Sequence, residues 1–466
     1  MNLNELLEHS VRRQPRKIAF IEESTETSYA ALAEKIDTFA ETLKSLPFRS
    51  GARIGLCFPN SVNYVALTYA LWKIGAIVVP VPTECPPEEL SEIAVSMELS
   101  AILSQKPLAQ GEPLTSEVFL TRMDLAQPAD NHGLNIAFIR FTSGTTNARK
   151  GVVLCHETIL DRVLAANQAF GITDADTIIW CLPMAHHFLI TIVLYLNAGA
   201  TVVLARHVTA KPFLEAVNRW RGTVLYAAPF HFSLLARDNS GAQIESVRLA
   251  VSTTCALPQD VSAEFFKRFG RPLIPALGII ELGLVALNHD DPQHRWNSVG
   301  KPLASFRVKV LAPDEQGIGE IAVAGPGICD AYAAPWQPRE NILHDGWFIT
   351  GDLGRIDGDG FLYLISRKTA VINLAGRKVF PEEIEAVLDR HPAIRESRVF
   401  GRAHPHLGEV VEAEIVLSAP DASTENLAHF CREHLAAFKI PTRFYVVTAL
   451  PRTPVTGKIR RVAAVA

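Results

Sequence analysis

The chain of 466 residues reads as an α/β protein with a largely parallel sheet, a strand-rich stretch after it and a smaller mixed unit at the end. Three observations predict this. Short β-branched runs such as "AIVVPV", "TIIWCLP", "ATVVLA", "TVLYAAP" and "VRLAVST" alternate with helical text such as "VNYVALTYALWKIG", the pattern of strands joined by crossover helices. From about Ser298 the text turns to hairpins, "FRVKVLAPDEQGIGEIAVAG" and "GFLYLIS". The length also exceeds one ordinary domain, so at least two compact units with sizeable cores are expected.

Taken in order, "MNLNELLEHSVRRQPRKIAF" predicts an amphipathic helix and a strand and lacks the apolar core of a signal peptide. The uncharged run 188–205, "FLITIVLYLNAGATVVLA", nearly reaches membrane-spanning length. Asn197 and Gly199 interrupt it, so it reads as a buried helix followed by a buried strand, with no stable membrane insertion. "SRKT" at 366–369 is polar and separates two units that each hold apolar strands, which places a boundary near Arg367. Beyond it, "PEEIEAVLDRH" predicts one helix and the region near "TENLAHFCREHLAAF" a last one.

The formal net charge is -4, and no block of five or six like charges occurs, so nothing in the charge pattern supports a nucleic-acid or membrane-surface role. Seven scattered cysteines without a CxxC pair point to reduced, mostly buried thiols in a cytoplasmic protein and away from a disulfide framework or zinc site.

The stretch "FIRFTSGTTNARKGVVLCHETIL", 138–160, carries the most chemistry. "IAFIRF" predicts a strand and "HETILDRVLAANQAF" a helix, with "TSGTTNARKG" as a polar turn between them. Backbone N–H groups, the hydroxyls of Thr142, Ser143, Thr145 and Thr146 and the cation of Lys150 together suit polyphosphate oxygens, and Gly144 and Gly151 would let the main chain approach a ligand. The spacing is not that of a Walker loop, since Gly151 follows the lysine. On the local string alone, a solvated surface loop is an equally good reading.

This stretch resembles the phosphate loop of the adenylate-forming superfamily of acyl- and aryl-CoA synthetases, peptide-synthetase adenylation domains and luciferases. Further segments resemble other motifs of that superfamily, in its order: "LWKIGAIVVPVP" (71–82), "LPMAHHF" (182–188), "STTCALP" (252–258), "LGIIELG" (277–283), "GIGEI" (317–321), "WFITGDLGRIDGDGFLYLISRK" (347–368), "GRKVFPEEIE" (376–385) and "LPRTPVTGKIRR" (450–461). The resemblance spans nearly the whole chain. It implies a large N-terminal domain of two α/β subdomains plus a β-rich part, residues 1–367, followed by a small mobile α+β C-terminal domain, residues 368–466. It also implies that a carboxylate attacks the α-phosphorus of ATP to give an acyl-adenylate, and that a thiol then displaces AMP.

The same resemblance implies roles. Lys458 bridges the carboxylate and the α-phosphate, Thr146 is the loop hydroxyl nearest the phosphates or the metal, and His186 gates the carboxylate pocket. Thr142, Ser143, Gly144, Thr145, Lys150, Gly278, Asp352 and Arg367 bind ATP, Asp352 through its ribose hydroxyls. Glu281 ligates Mg2+, an ion that commonly uses one or two carboxylates plus substrate phosphates. His187, Tyr226, Thr254, Cys255 and Gly278 line the acid pocket. No acid stands in "PMAHHFLITIV" where amino-acid-activating members keep an aspartate for the substrate ammonium, so the expected substrate is a carboxylic acid without an α-amino group. The wording of "LPMAHHF" favours an aryl acid over a medium acyl chain.

The thiol is expected from CoA or from the phosphopantetheine arm of an acyl or aryl carrier protein acting as a separate partner. Several positions depart from the superfamily pattern: Asn147 and Arg149 replace the usual Gly and Pro of the loop, Thr253-Thr254-Cys255 replaces Gly-Gly-Ala, and Thr369 and Asn373 stand at the hinge. These departures keep a second reading in play, that of a catalytically reduced homologue serving as a binding module.

Overall fold

The computed structural model describes residues 2–123, 131–141, 150–205, 209–374, 377–404, 408–419, 422–452 and 459. They fall into two compact units. One comprises the described parts of Met1–Thr142, Arg149–Arg307 and Ala324–Phe348, and the other those of Val308–Val323 and Ile349–Ala466.

The first unit contains two nine-stranded sheets. In one, strands Ile18–Glu22, Thr201–Leu204, Thr177–Trp180, Val224–Ala227, Leu249–Ser252 and Ile274–Ile279 lie side by side and parallel. In the other, Ala101–Ser104, Arg53–Cys57, Ile77–Pro80 and Ile136–Phe141 do the same. The expected parallel sheet is therefore realised twice. Every residue of Arg53–Cys57, Ile77–Pro80 and Leu249–Ser252 is buried, as parallel strands covered on both faces should be. Both sheets turn antiparallel at their margins, where hairpin partners such as Thr25–Ser28, Gly283–Leu287 and Phe119–Arg122 are added. An antiparallel partner needs only a short turn, whereas a parallel one needs a crossover.

One hairpin corrects the sequence reading. "GVVLC" forms a strand, Gly151–Cys155, antiparallel to Ile136–Phe141 with Phe141 opposite Gly151, so the polar loop joins two strands and the helix begins only at His156. Gly151 is buried, and a Cβ there would lie 2.7 Å from Met97 Sδ and 2.9 Å from Ile139 Cγ2, so packing requires its small size.

The helices follow their expected positions. Val62–Lys73 is buried along nearly its whole length, starts under a cap in which Ser61 Oγ accepts from Tyr64 N, and is tied to the neighbouring strand by Trp72 Nε1 donating to Ala137 O at 2.8 Å. His156–Phe170 ends at left-handed Gly171, whose N–H bonds Asn167 O. The long uncharged run divides into helix Ile192–Ala198 and strand Thr201–Leu204 around Gly199. Among the described residues no helix is long and apolar enough to cross a membrane. No disulfide links any of the seven cysteines, and five of them are buried.

Asp176 is a buried polar anchor. It takes Arg248 on both oxygens at 2.8 Å, Thr223 Oγ1 at 2.7 Å and Thr173 N at 2.9 Å. Burial by itself would raise its pKa, but these donors outweigh burial and hold the carboxyl below its ordinary range.

The second unit carries a four-stranded sheet, Arg307–Leu311, Gly319–Ala324, Phe348–Ile356 and Leu362–Arg367, and a five-stranded one. The latter is built on the long hairpin Ile394–His404 and Gly408–Leu417, with helices Pro381–Leu388 and Leu427–His434 and a core that includes Ile372, Ile384, Val399 and Ile415. Arg398, fully buried, meets its cross-strand partner Glu414 at 2.8 Å.

His156 yields a pH prediction. It is buried beside Trp72, its Nδ1 accepts from Leu3 N at 3.2 Å, and burial pushes its pKa down to about 4. The unfolded chain, with a histidine pKa of about 6.5, binds the proton first, so the contribution is complete above about pH 6.5 and disappears as pH falls to about 4. Thermal denaturation should show up to about 3 kcal/mol of acid destabilisation over this range from this site, and His156→Gln should flatten that part of the profile.

Candidate active site

The segment that holds His186 and His187 is a single helical turn, Met184–His187, following strand Thr177–Trp180. Asn60 fixes its entry: its Nδ2 donates to Leu182 O at 2.8 Å and its Oδ1 accepts from Met184 N at 2.7 Å. The sequence reading passed over Asn60, whose partners are more than a hundred residues away. The turn leaves both histidines partly exposed, and Thr191 Oγ1 donates to the carbonyl of His187.

His187 meets the ring of Tyr226 edge-on at 6.3 Å and that of Trp180 at 6.4 Å, while Trp180 and Tyr226 stack at 6.0 Å with an 11° interplanar angle. The structure thus brings together two of the expected pocket residues, His187 and Tyr226. Tyr226 Oη reaches Thr253 Oγ1 at 3.5 Å, a long contact that joins this nest to the "STTCALP" segment. There Thr253 is buried, Thr254 partly exposed and Cys255 exposed. Thr254 sits at φ +79°, a left-handed conformation that a β-branched residue enters only with strain.

Glu281 stands just beyond strand Ile274–Ile279. Gly278, in that strand, is exposed beside a register irregularity, and a Cβ there would meet only Gly283 O at 3.7 Å. The Glu281 carboxylate accepts from Tyr332 Oη at 3.1 Å through Oε1. Lys150 Nζ lies 4.7 Å from the centroid of the same tyrosine ring, so Tyr332 connects the base at the end of the polar loop with the acid.

The backbone under Glu281 is held by Arg162. This buried guanidinium donates to Glu281 O at 2.7 Å, Ile280 O at 2.9 Å and Gly327 O at 2.6 Å, and Cys329 N also bonds Glu281 O at 2.8 Å. Burial pushes the Arg162 pKa down to about 10, and nearby acids including Glu281 work against that shift. Gly327, at φ +73°, permits the approach, since a Cβ there would lie 2.5 Å from Arg162 Cγ.

Arg140, on strand Ile136–Phe141, was also missed. Burial pushes its pKa down to about 10 while Glu281, Tyr64 and Tyr226 pull it back up, and its Nε is buried without a hydrogen-bond partner. A single arginine inside the apolar run "IAFIRF" was the available signal.

In the second unit, Asp352 and Arg367 occupy neighbouring strands as register partners and form an ion pair, Nε to Oδ1 at 2.6 Å. Arg367 Nη1 also donates to Thr350 O at 3.0 Å. Thr142, Ser143, Gly144, Thr145, Thr146 and Lys458 lie outside the described residues, as do Asn147 and Arg149. Among the described residues no three His, Cys, Asp or Glu side chains gather to hold a metal.

Residues 7–333 match the AMP-binding enzyme family, and residues 383–458 match the AMP-binding enzyme C-terminal domain. The chain is 28% identical over 466 aligned residues to sulfoacetate–CoA ligase of Cupriavidus necator, covering 93% of this chain and 91% of that one. It is 27% identical over 499 aligned residues to oxalate–CoA ligase of Arabidopsis thaliana, covering 98% and 97%. Its fold superposes on the o-succinylbenzoate CoA synthetase of Bacillus subtilis in complex with an acyl-adenylate intermediate, with a TM-score of 0.85, 26% identity and 98% and 96% of the two chains covered.

The backbone at Thr254 gives a local prediction. Thr254→Gly relieves strain of about 1–3 kcal/mol and loses about 0.5–1 kcal/mol to the freer unfolded chain. The substitution should therefore raise the unfolding free energy by about 1 kcal/mol in urea denaturation, where most pocket substitutions lower it.

Proposed function

The chain belongs to the AMP-binding enzyme family, within the adenylate-forming superfamily, and from that premise we propose an ATP-dependent acid–thiol ligase that makes an acyl-adenylate from a carboxylic acid without an α-amino group. Its class is that of ligases forming carbon–sulfur bonds. The observation that carries the reading is the Lys150–Tyr332–Glu281 cluster, which joins a phosphate-side cation to a metal-side carboxylate.

In the first half-reaction a carboxylate oxygen of the substrate attacks the α-phosphorus of ATP and pyrophosphate leaves, so negative charge builds on the phosphate oxygens and needs fixed positive charge nearby. Lys150 offers an exposed ammonium at the end of the polar loop, and Thr142, Ser143, Gly144, Thr145 and Thr146 are assigned the phosphates with it. Glu281 fits a magnesium ion: Tyr332 occupies Oε1, and the other oxygen accepts no hydrogen bond from a described residue. A magnesium ion held by Glu281 would supply positive charge beside the phosphates. Tyr332 and Arg162 do the chain's own work at this position by orienting the carboxylate and fixing the backbone beneath it.

Asp352 is assigned the ribose hydroxyls, with Arg367 holding its carboxylate, and Gly278 offers backbone next to the adenosine and acid. Lys458 is assigned the bridge between the acid and the α-phosphate, on a C-terminal domain that we take to begin at Lys368. In the second half-reaction a thiol attacks the acyl carbonyl and AMP leaves with the C–O bond electrons. CoA is the thiol in the names of the relatives, and the phosphopantetheine arm of a carrier protein is the other candidate.

The acid pocket is assigned to His186, His187, Tyr226, Thr254, Cys255 and Gly278. The ring nest around Tyr226 supports an aryl acid first and a medium acyl chain second.

ATP–pyrophosphate exchange with a mixed panel of aryl and C4 to C12 acids tests the reading. Magnesium-dependent exchange is expected; none with any acid would leave a non-catalytic binding module. Lys458→Ala should lower adenylation on the order of 10²–10³-fold while a supplied acyl-adenylate still yields thioester, and equal loss of both steps would remove Lys458 from the first. Glu281→Gln should raise the magnesium concentration needed for half-maximal exchange about tenfold or more. Calorimetric titration with a nonhydrolysable ATP analogue should show the same weakening.

A further inference from the structure

Around Tyr226 several buried donors have no acceptor. Arg140 Nε, Trp180 Nε1 and Tyr64 Oη are all inaccessible to solvent and lack hydrogen-bond partners. Trp180 stacks on Tyr226, and Arg140 interacts electrostatically with both Tyr64 and Tyr226. Tyr64 packs against Phe188 at 5.5 Å, and Phe188 follows His187, whose own ring abuts Trp180 and Tyr226. The unsatisfied groups therefore belong to one neighbourhood of the first unit.

Their chemistry points one way. An indole N–H and a guanidinium can only donate, so a water would satisfy them singly but leave the cation uncompensated. Such groups are rarely orphaned in a folded protein, and although the Arg140 side chain is partly exposed, its Nε is buried with no acceptor. Arg140 feels Glu281, yet no described acid lies within ion-pair distance of it. An anion is what the neighbourhood lacks. The reacting carboxylate is a poor candidate, because a nucleophile held on a guanidinium loses electron density it must give to phosphorus. A phosphate of ATP fits the charge, but Trp180 Nε1 and Tyr64 Oη belong to rings packed on Tyr226 and Phe188.

We propose that the acid this chain activates carries a second anionic group, a carboxylate or a sulfonate, received by Arg140 together with Trp180 Nε1 and Tyr64 Oη. The inference rests on the adenylation reading above and narrows its substrate class to acids with two anionic groups, on an aryl or an acyl skeleton. One anion is bound and the other reacts, which also fixes which end of the molecule faces ATP.

Adenylation is measured with matched pairs that share a skeleton: benzoate and isophthalate, 3-phenylpropionate and 3-(2-carboxyphenyl)propionate, butyrate and succinate, propionate and 3-sulfopropionate. At least one doubly anionic member should exceed its partner about tenfold or more in kcat/KM, since a site built to pair a polar group rejects the analogue lacking it. Arg140→Met should raise KM for that acid on the order of 10²-fold and bring the pair ratio close to one, with KM for ATP and for the singly charged acid within about threefold. Tyr64→Phe, a conservative change, should cost the doubly anionic acid alone about three- to tenfold, and it decides the matter with the wild-type panel if Arg140→Met does not fold.

Wild-type enzyme that uses the singly charged members equally well or better overturns the inference and leaves adenylation standing. A rise in KM for ATP with an unchanged pair ratio assigns Arg140 to a phosphate and overturns it too. Absence of exchange with every acid removes the adenylation reading itself, a result distinct from both.

Discussion

The first unit depends on one buried cation. Arg162 rises from helix His156–Phe170 and holds the carbonyls of Ile280, Glu281 and Gly327, three points that come from two separate connections. A guanidinium offers five donors in a fixed plane, so it sets distances and angles together, which a lysine cannot do. Because the Arg162 side chain is buried, the backbone under Glu281 has little freedom, and the carboxylate above it meets Tyr332.

Other long-range polar contacts repeat the principle. Asn60 fixes the His186–His187 turn from the connection between strand Arg53–Cys57 and helix Val62–Lys73, far away in sequence. Asp330 accepts from Cys155 N at 2.7 Å and Thr158 Oγ1 at 2.9 Å and pairs with Arg339, which locks the start of the Arg162 helix to the strand that carries Tyr332. Each such bond is worth only about 1 kcal/mol net, but a lost partner strands a buried group at a cost of about 1–3 kcal/mol, so the set acts mainly by excluding other arrangements. The unpaired donors near Tyr226 differ from these contacts in lacking any acceptor.

Much of the fold was legible in the text. The β-branched runs became strands, "HETILDRVLAANQAF" became the helix His156–Phe170, and the uncharged run split around Gly199, because burial on both sheet faces demands apolar residues and chain reversal demands a left-handed glycine. The reading slipped at "GVVLC", where a short apolar run before a helix gives no periodic signal to separate strand from helix start, and where the pairing partner decides. At Gly151 the text could not show the packing against Met97 and Ile139 that also demands a glycine.

The sequence by itself determined that this is an α/β chain of the adenylate-forming kind and named Glu281, Asp352, Arg367, His187 and Tyr226, because motif spacing and residue chemistry are local properties. Tertiary structure alone decided who touches whom: Tyr332 on Glu281, Lys150 over Tyr332, Arg162 under the turn and Arg140 Nε buried without a hydrogen-bond partner. These contacts join segments distant in the chain, 51 residues apart for Tyr332 and Glu281 and 119 for Arg162 and Glu281, and only the packed sheets and helices create the burial that makes an unpaired donor costly. No string of neighbouring residues contains that information.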